Sequence, residues 1–156
     1  MIRIDKELLL DTIEKASGSK RLRMNHNFHT QPGDTLQRLL NAIEPGSYIQ
    51  PHKHDTPDKR EIFFALQGRI AVVEFDDQGN IADSMILDPL AGRYGAEIPE
   101  KTWHTLISLE SGSVAYEFKD GPYDPVDDKN RAPWAPKEGA PEAIEYLREV
   151  LGRIGL

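Results

Sequence analysis

The sequence predicts a mostly β domain, an antiparallel sandwich or barrel with a short helix at each end. From residue 35 onward, short segments rich in branched and aromatic residues alternate with turns, and glycine lies at nearly every break. Five or more strands at this spacing are typical of a sandwich or barrel. The 156 residues suit one domain, which we divide into a helical N-terminal arm (1–34), a barrel core (35–119) and an ordered proline-rich loop with a C-terminal helix (120–156).

The first element is an amphipathic helix, predicted over the segment IDKELLLDTIEKAS. Asp5 is a suitable N-cap, and Leu8, Leu9 and Ile13 recur at helical spacing. The following segment, SGSKRLRMNHNFH, is polar and basic, and we interpret it as a connection to the barrel.

The strands are predicted in segments that end at turn residues. The first, TLQRLLNAIE, also has helical spacing, and its β-rich neighbours favour a strand. The other predicted strand segments are EIFFALQGRIAVVEFD, IADSMIL, GAEIPEKTWHTLISLE and VAYEF.

The proline-rich segment that follows the strands is predicted to be an ordered loop laid across the barrel. It contains Tyr123 and Trp134, and a disordered linker rarely holds such aromatic residues. The two rings would anchor the loop or, alternatively, stack on a sugar. Its acidic cluster fits no calcium-binding loop spacing and is interpreted as a solvated turn: Asp124, Asp127 and Asp128. An amphipathic helix, PEAIEYLREVLGRIGL, closes the domain.

Composition excludes several classes of function. The net charge of −7 and the pI near 5.2 argue against nucleic-acid or anionic-membrane partners. No apolar run approaches about 18 residues, so we expect a cytoplasmic protein. The chain has no cysteine, which leaves histidine and carboxylate side chains as metal ligands.

Two histidines separated by one residue indicate a metal site. His52 and His54 lie in a segment predicted to be extended, where side chains two apart point to the same face with Cα atoms roughly 6.7 Å apart. Glu61 opens the next strand and shares its face with apolar residues, so its charge needs a partner such as a divalent ion. The alternative is a solvated strand end beside Lys53 and Asp55.

A third histidine, His104, lies fifty residues after His54 in another predicted strand. Alone it would be interpreted as a hydrogen-bonded core histidine. Together with His52, His54 and Glu61 it completes an open nitrogen and oxygen site for one divalent transition metal, namely zinc, iron, nickel or manganese.

These residues resemble the first motif of the cupin superfamily, G-x5-H-x-H…E-x6-G. The motif is filled by Gly46, His52, His54, Glu61 and Gly68. Six residues separate His54 from Glu61, where the usual pattern has three or four, and a three-histidine site is the alternative.

The second cupin motif, G-x5-P-x-G-x2-H-x3-N, is matched in part. Pro99 and His104 keep their spacing. Lys101 occupies a glycine position, Ser108 the asparagine position, and Arg93 the position of the leading glycine.

The resemblance extends from about Arg21 to Glu138 and is to the WbuC family of cupin-fold metalloproteins. It implies a cupin-type double-stranded β-helix, that is, a jelly-roll barrel, with a metal in its mouth. It also implies an association with O-antigen or other surface-polysaccharide gene clusters, but no reaction. The segments that resemble the family are RLRMNHNFH, LQRLLNAIEPGSYIQPHKH, GRIAVVEFDDQG, EIPEKTWHTLISLE and FKDGPYDPVDDKNRAPWAP.

Three further residues are predicted to bind a small-molecule ligand. His29 would reach the barrel mouth from the N-terminal arm, and Arg38 and Tyr48 lie on strands that lead to the first motif. The alternative for the latter two is a salt-bridged arginine and a packed tyrosine.

Two classes of function follow. The first is an enzyme that isomerises, epimerises or hydrolyses a sugar-derived or other polyhydroxylated molecule, or an iron-dependent dioxygenase. The second is a non-catalytic metal-dependent binding module. Barrels of this kind commonly dimerise, so a homodimer is expected.

Overall fold

The computed structural model describes residues 1–55, 57–123 and 130–156. Within these residues the chain forms two α-helices and ten β-strands. The helices are α1 Lys6–Ser17 and α2 Ala143–Arg153. The strands are β1 Arg23–Asn27, β2 Leu36–Ile43, β3 His52–Lys53, β4 Glu61–Gln67, β5 Ile70–Phe75, β6 Ile81–Leu87, β7 Gly95–Ile98, β8 Trp103–Ser108, β9 Ser113–Asp120 and β10 Asn130–Arg131.

The strands form two antiparallel sheets of five. The first sheet has the order β1-β2-β9-β4-β7 and the second the order β10-β3-β8-β5-β6. Their inner faces pack on one another through an apolar cluster that joins both sheets, for example Phe63 and Ala115 of the first with Val72 and Leu106 of the second. This architecture agrees with the mostly β fold and the jelly roll that the sequence predicts.

The two helices cover the outer faces of the sheets. In α1, the Asp5 side chain accepts a hydrogen bond from the Leu8 N–H at 3.1 Å, which is the predicted N-cap. Buried Ala16 of α1 packs with Leu40 and Val114 on the outside of the first sheet. The second helix, α2, packs its apolar stripe on the outside of the second sheet. Among the described residues, no helix has the length and apolar character needed to span a membrane.

The strand boundaries differ from the predicted segments in three places. The polar connection contains strand β1, which pairs with β2 along its whole length. The segment from Glu61 to Phe75 is two strands, β4 and β5, which lie in different sheets. The two strands separate at Gly68, which has a φ of 75°. A Cβ atom added at this position would lie 2.7 Å from Ser113 Cα, so there is no room for a side chain. The predicted strand around His104 is likewise two strands, β7 and β8.

The structure describes the proline-rich segment up to Tyr123 and again from Asn130 onward. Strand β10 pairs with β3 at the edge of the second sheet. Trp134 packs 5.2 Å from the ring centroid of Phe75 and 6.0 Å from that of Trp103, and it covers Gly79, where a Cβ would lie 2.7 Å from the indole. Trp134 therefore anchors the loop. The acidic cluster Asp124, Asp127 and Asp128 lies outside the described residues.

Candidate metal centre and adjoining cavity

Four metal-ligating side chains converge inside the barrel. His52, His54, Glu61 and His104 each contribute one nitrogen or oxygen atom, and these atoms all lie within 4.8 Å of one another. All four residues are at most 3% exposed. This burial distinguishes the cluster from the exposed acidic groups that are common on protein surfaces.

The fold brings these residues together from three strands and one loop. His52 in β3 lies directly opposite His104 in β8. His54 follows β3, and its carbonyl accepts a hydrogen bond from the Lys101 N–H at 3.2 Å. Glu61 begins β4 in the other sheet, so the cluster bridges the two sheets at one end of the barrel.

The long connection between His54 and Glu61 does not keep the carboxylate away from the histidines. His54 Nε2 lies 3.2 Å from Glu61 Oε1, and His104 Nε2 lies 2.7 Å from Glu61 Oε2. Asp55 and Asp58 form an isolated β-bridge that turns the connection back. The geometry therefore includes Glu61 in the cluster.

Lys101, at a glycine position of the second cupin motif, has the backbone conformation expected of glycine. This residue has a φ of 62°, in the left-handed region that glycine adopts without cost. Its side chain reaches Asp58, with Nζ 3.3 Å from Oδ2. The lysine at the glycine position thus keeps the glycine-like backbone conformation.

Hydrogen bonds to backbone carbonyls orient two of the imidazole rings. Nδ1 of His52 lies 3.1 Å from the Gln50 carbonyl oxygen, and Nδ1 of His104 lies 2.9 Å from that of Thr102. A carbonyl oxygen only accepts, so in the neutral rings Nδ1 carries the hydrogen and Nε2 carries the lone pair. This is the arrangement that prepares histidine to ligate a metal through Nε2.

The environment holds Glu61 in its charged form. Burial raises the pKa of this carboxyl, but hydrogen bonds from His104 and His54 lower it more, and the net pKa lies well below its ordinary value of 4.5. Lys119 adds positive charge, with Nζ 3.8 Å from Glu61 Oε1. The hydrogen bond from His104 places a proton between Nε2 and Glu61 Oε2, which lie 2.7 Å apart. In a neutral ring Nε2 would instead present a lone pair, and a divalent metal would take the place of the proton, so the donor set fits such a metal.

A cavity of about 570 Å³ adjoins the cluster, and His52 lies in its wall. Buried polar side chains from β1, β2, β9 and the segment before β3 form much of the lining: Arg23, Gln37, Asn41, Gln50, Glu117 and Lys119. Exposed residues lie at its rim, among them Arg21, Arg131 and Tyr123. The size suits a small molecule, and the lining suits a polar one.

The three predicted ligand-binding residues occupy different places. His29 lines the cavity, and its Nδ1 lies 3.2 Å from the backbone nitrogen of Arg38. Arg38 is not among the lining residues, and its guanidinium donates to the Phe28 carbonyl at 3.1 Å. Tyr48 packs in the cluster beneath α2, and its hydroxyl donates to the Pro136 carbonyl at 2.8 Å.

Sequence reasoning missed the polar lining of the cavity. Asn41, Glu117 and Lys119 occupy alternate inward positions of β2 and β9. The available signal was the alternation in VAYEFKD, in which one face is polar. Gln50 precedes His52 by two residues in an extended segment, so the two side chains point to the same face.

Solved structures with the same fold come from several bacteria. KdgF from Halomonas sp. is 19% identical, with 65% of this chain and 82% of that chain covered and a TM-score of 0.51. BH2720 from Bacillus halodurans is 20% identical, with 84% and 89% covered and a TM-score of 0.55. The capsular polysaccharide assembling protein CapF from Staphylococcus aureus is 17% identical, with 70% of this chain but 31% of CapF covered and a TM-score of 0.55.

These neighbours are cupin-fold proteins, and at such identities they show the fold alone, which supports the predicted cupin fold. No curated protein sequence matches the chain. One family model matches residues 4–87, more than half of the chain, including α1, the first six strands and three of the four clustered residues. The chain therefore belongs to the family described as Domain of unknown function (DUF6016).

Proposed function

We propose that the protein is a metal-binding cupin whose His52, His54, Glu61 and His104 hold one divalent transition metal, and that it binds or acts on a small polyhydroxylated molecule. The observation that supports this proposal is the buried cluster of four ligand atoms within 4.8 Å of one another. The resemblance to the WbuC family further suggests a place in O-antigen or surface-polysaccharide biosynthesis.

The donor set limits the metals that the site would hold. Three imidazoles and one carboxylate suit zinc, iron, nickel or manganese and leave coordination positions open, whereas an oxygen-only set would suit magnesium or calcium. The Glu61 carboxylate would offset part of the metal's charge inside the barrel. When bound, such a metal supplies a Lewis acid that polarises a carbonyl or hydroxyl oxygen.

The chain's own residues would prepare the site for that chemistry. The carbonyls of Gln50 and Thr102 fix two imidazole rings, which limits the reorganisation needed when the metal binds. The adjoining cavity gives a ligand of sugar size access to His52. Lys119 lies beside Glu61 in the cavity wall and would contact an oxygen of the bound molecule.

Metal analysis of purified variants tests the proposal. We expect about one metal ion per chain in the wild type and less than a tenth of that in the His52→Ala/His54→Ala double variant, because two of the four ligands are lost. The matched control is His26→Ala/His29→Ala, which removes two histidines outside the cluster and should retain the metal. Equal metal content in the wild type and the His52→Ala/His54→Ala variant would contradict the proposal.

Metal identity and turnover distinguish an enzyme from a binding module. Tightly held zinc or nickel argues against dioxygen chemistry, whereas iron with oxygen uptake supports a dioxygenase. Retained ligand binding with loss of turnover in His104→Ala would support an enzyme. Saturable binding without turnover of any tested sugar or nucleotide sugar would support the binding module.

A further inference from the structure

Two buried amide side chains in the cavity wall have orientations fixed by their neighbours. The Nδ2 of Asn41 donates to Glu117 Oε2 at 3.3 Å. The Nε2 of Gln50 donates to the carbonyls of Ala132 and Ala135 at 3.0 and 3.4 Å. Carboxylate and carbonyl oxygens accept only, so the amino group of each amide must face them. Each amide oxygen therefore points elsewhere.

These two amide oxygens have no hydrogen-bond partner within residues 1–55, 57–123 and 130–156. Asn41 Oδ1 and Gln50 Oε1 are both buried, and both residues line the 570 Å³ cavity. A buried acceptor without a partner destabilises the folded protein. Such a cost is offset when a bound molecule supplies the missing donor.

Both residues line the cavity that has His52 of the candidate metal centre in its wall. Gln50 precedes His52 by two residues, and its backbone carbonyl holds the ring of His52. Asn41 lies in β2, and its partner Glu117 lies in β9 two residues from Lys119, which contacts Glu61. A molecule bound in this cavity would therefore share it with both amides and with His52.

We infer that Asn41 and Gln50 determine ligand specificity by accepting hydrogen bonds from two hydroxyl groups of a neutral monosaccharide or monosaccharide unit. This inference deepens the proposed function, since it names the ligand class and the groups that recognise it. An acceptor pair repels a carboxylate or phosphate oxygen and leaves an ether oxygen unpaired. Hydroxyl groups satisfy it, and sites of this kind discriminate strongly against ligands that lack the hydroxyl.

Ligand-detected NMR titrations of the full chain, incubated with zinc and then freed of unbound zinc, test this inference. The probes are D-glucose, D-galactose, D-mannose, L-rhamnose and L-fucose, each compared with its mono-O-methyl ethers. We expect at least one sugar to bind, and one or two of its ethers to bind about tenfold more weakly, because a methoxy group cannot donate a hydrogen bond. This comparison needs no variant, so it stands even where a variant fails to fold.

Variants then assign the discrimination to the two residues. Asn41→Leu and Gln50→Leu should each abolish the preference for one free hydroxyl over its methyl ether. Gln78→Leu is the matched control, because Gln78 is an exposed amide between β5 and β6 and is not among the residues that line the cavity. It should keep the wild-type preference.

Several outcomes would overturn the inference. These are the absence of binding by every sugar, equal affinity for a sugar and all its ethers, or an unchanged preference in both leucine variants. Water alone would then satisfy the two oxygens. Metal content is measured on the same samples, so a wild type that binds sugars selectively but holds no metal contradicts the proposed metal centre and leaves the acceptor pair supported.

Discussion

The inside of the barrel has an apolar half and a polar half, and the same strands build both. In β4 the inward residues run from Glu61 to Phe63, and in β8 they run from His104 to Leu106. Each strand thus contributes a cluster residue at one end and a core residue two positions later. Burying charged and amide groups is costly, so the polar half agrees with the proposed binding role, whereas the apolar half stabilises the fold.

The largest expected effect on stability comes from a substitution in the apolar half of β4, the strand that also carries Glu61. Phe63→Ala should lower the free energy of unfolding by about 3–5 kcal/mol, because it removes a buried ring that is 2% exposed. Urea unfolding of the metal-free protein measures this change. The folded variant should still bind metal, since Glu61 is unchanged.

The matched control for that prediction is the next residue along the strand. Phe64 points to the outer face and is 44% exposed, so Phe64→Ala should cost about 0.5 kcal/mol or less. If both substitutions destabilised the protein equally, the apolar half would not be the source of its stability.

A smaller effect is expected at the polar wall of the cavity. Arg23 contacts Glu138, with Nη2 2.6 Å from Oε2, and donates from Nη1 to the Tyr48 carbonyl at 2.9 Å. Arg23→Met should therefore cost about 1–3 kcal/mol, measured by urea unfolding, because it leaves partly buried acceptors unpaired. Arg21→Met, at the exposed rim of the same cavity, should change stability by less than about 0.5 kcal/mol. Equal costs for the two variants would contradict a structural role for the Arg23 contacts.

The sequence was most informative about the candidate metal centre, because the types and spacing of its side chains indicate a set of metal ligands. The four clustered residues could be identified because an H-x-H pair, a carboxylate at a strand start and a distant histidine are the donors that a cysteine-free metal site needs. The two helices and most strands were predictable from periodicity for a similar reason, since each buries one apolar face.

The polar wall of the cavity could not be predicted in the same way. The apolar residues of a strand usually face the inside of a barrel, but in β9 the polar residues do. Val114 and Tyr116 of this strand face outward and are covered by α1, so the polar set Glu117 and Lys119 faces the inside. Hydrophobic alternation shows that two faces exist, but it does not show which one the helix covers. Strand β1 was missed because its inward residues are polar as well.

The smallest expected effect concerns the charge of Glu61 in the metal-free protein. Glu61→Gln retains hydrogen-bonding capacity toward the histidines and removes the charge, so near pH 7 it should cost about 1 kcal/mol, the difference between charged and neutral hydrogen bonds. The pKa of Glu61 is lower in the folded protein than its ordinary value of 4.5. Its ionised form therefore contributes stability that is fully present above about pH 4.5 and is lost as the pH falls toward the folded-state pKa.

Urea unfolding of chelator-treated wild type and Glu61→Gln from pH 7 to pH 3 measures this contribution. The difference in stability between the two proteins should stay constant down to about pH 4.5 and then shrink, because a protonated glutamic acid is neutral like glutamine. A difference that stayed constant through acid would mean that Glu61 has no depressed pKa in the folded state. The polar half would then hold the carboxylate by packing alone, without hydrogen bonds from the histidines.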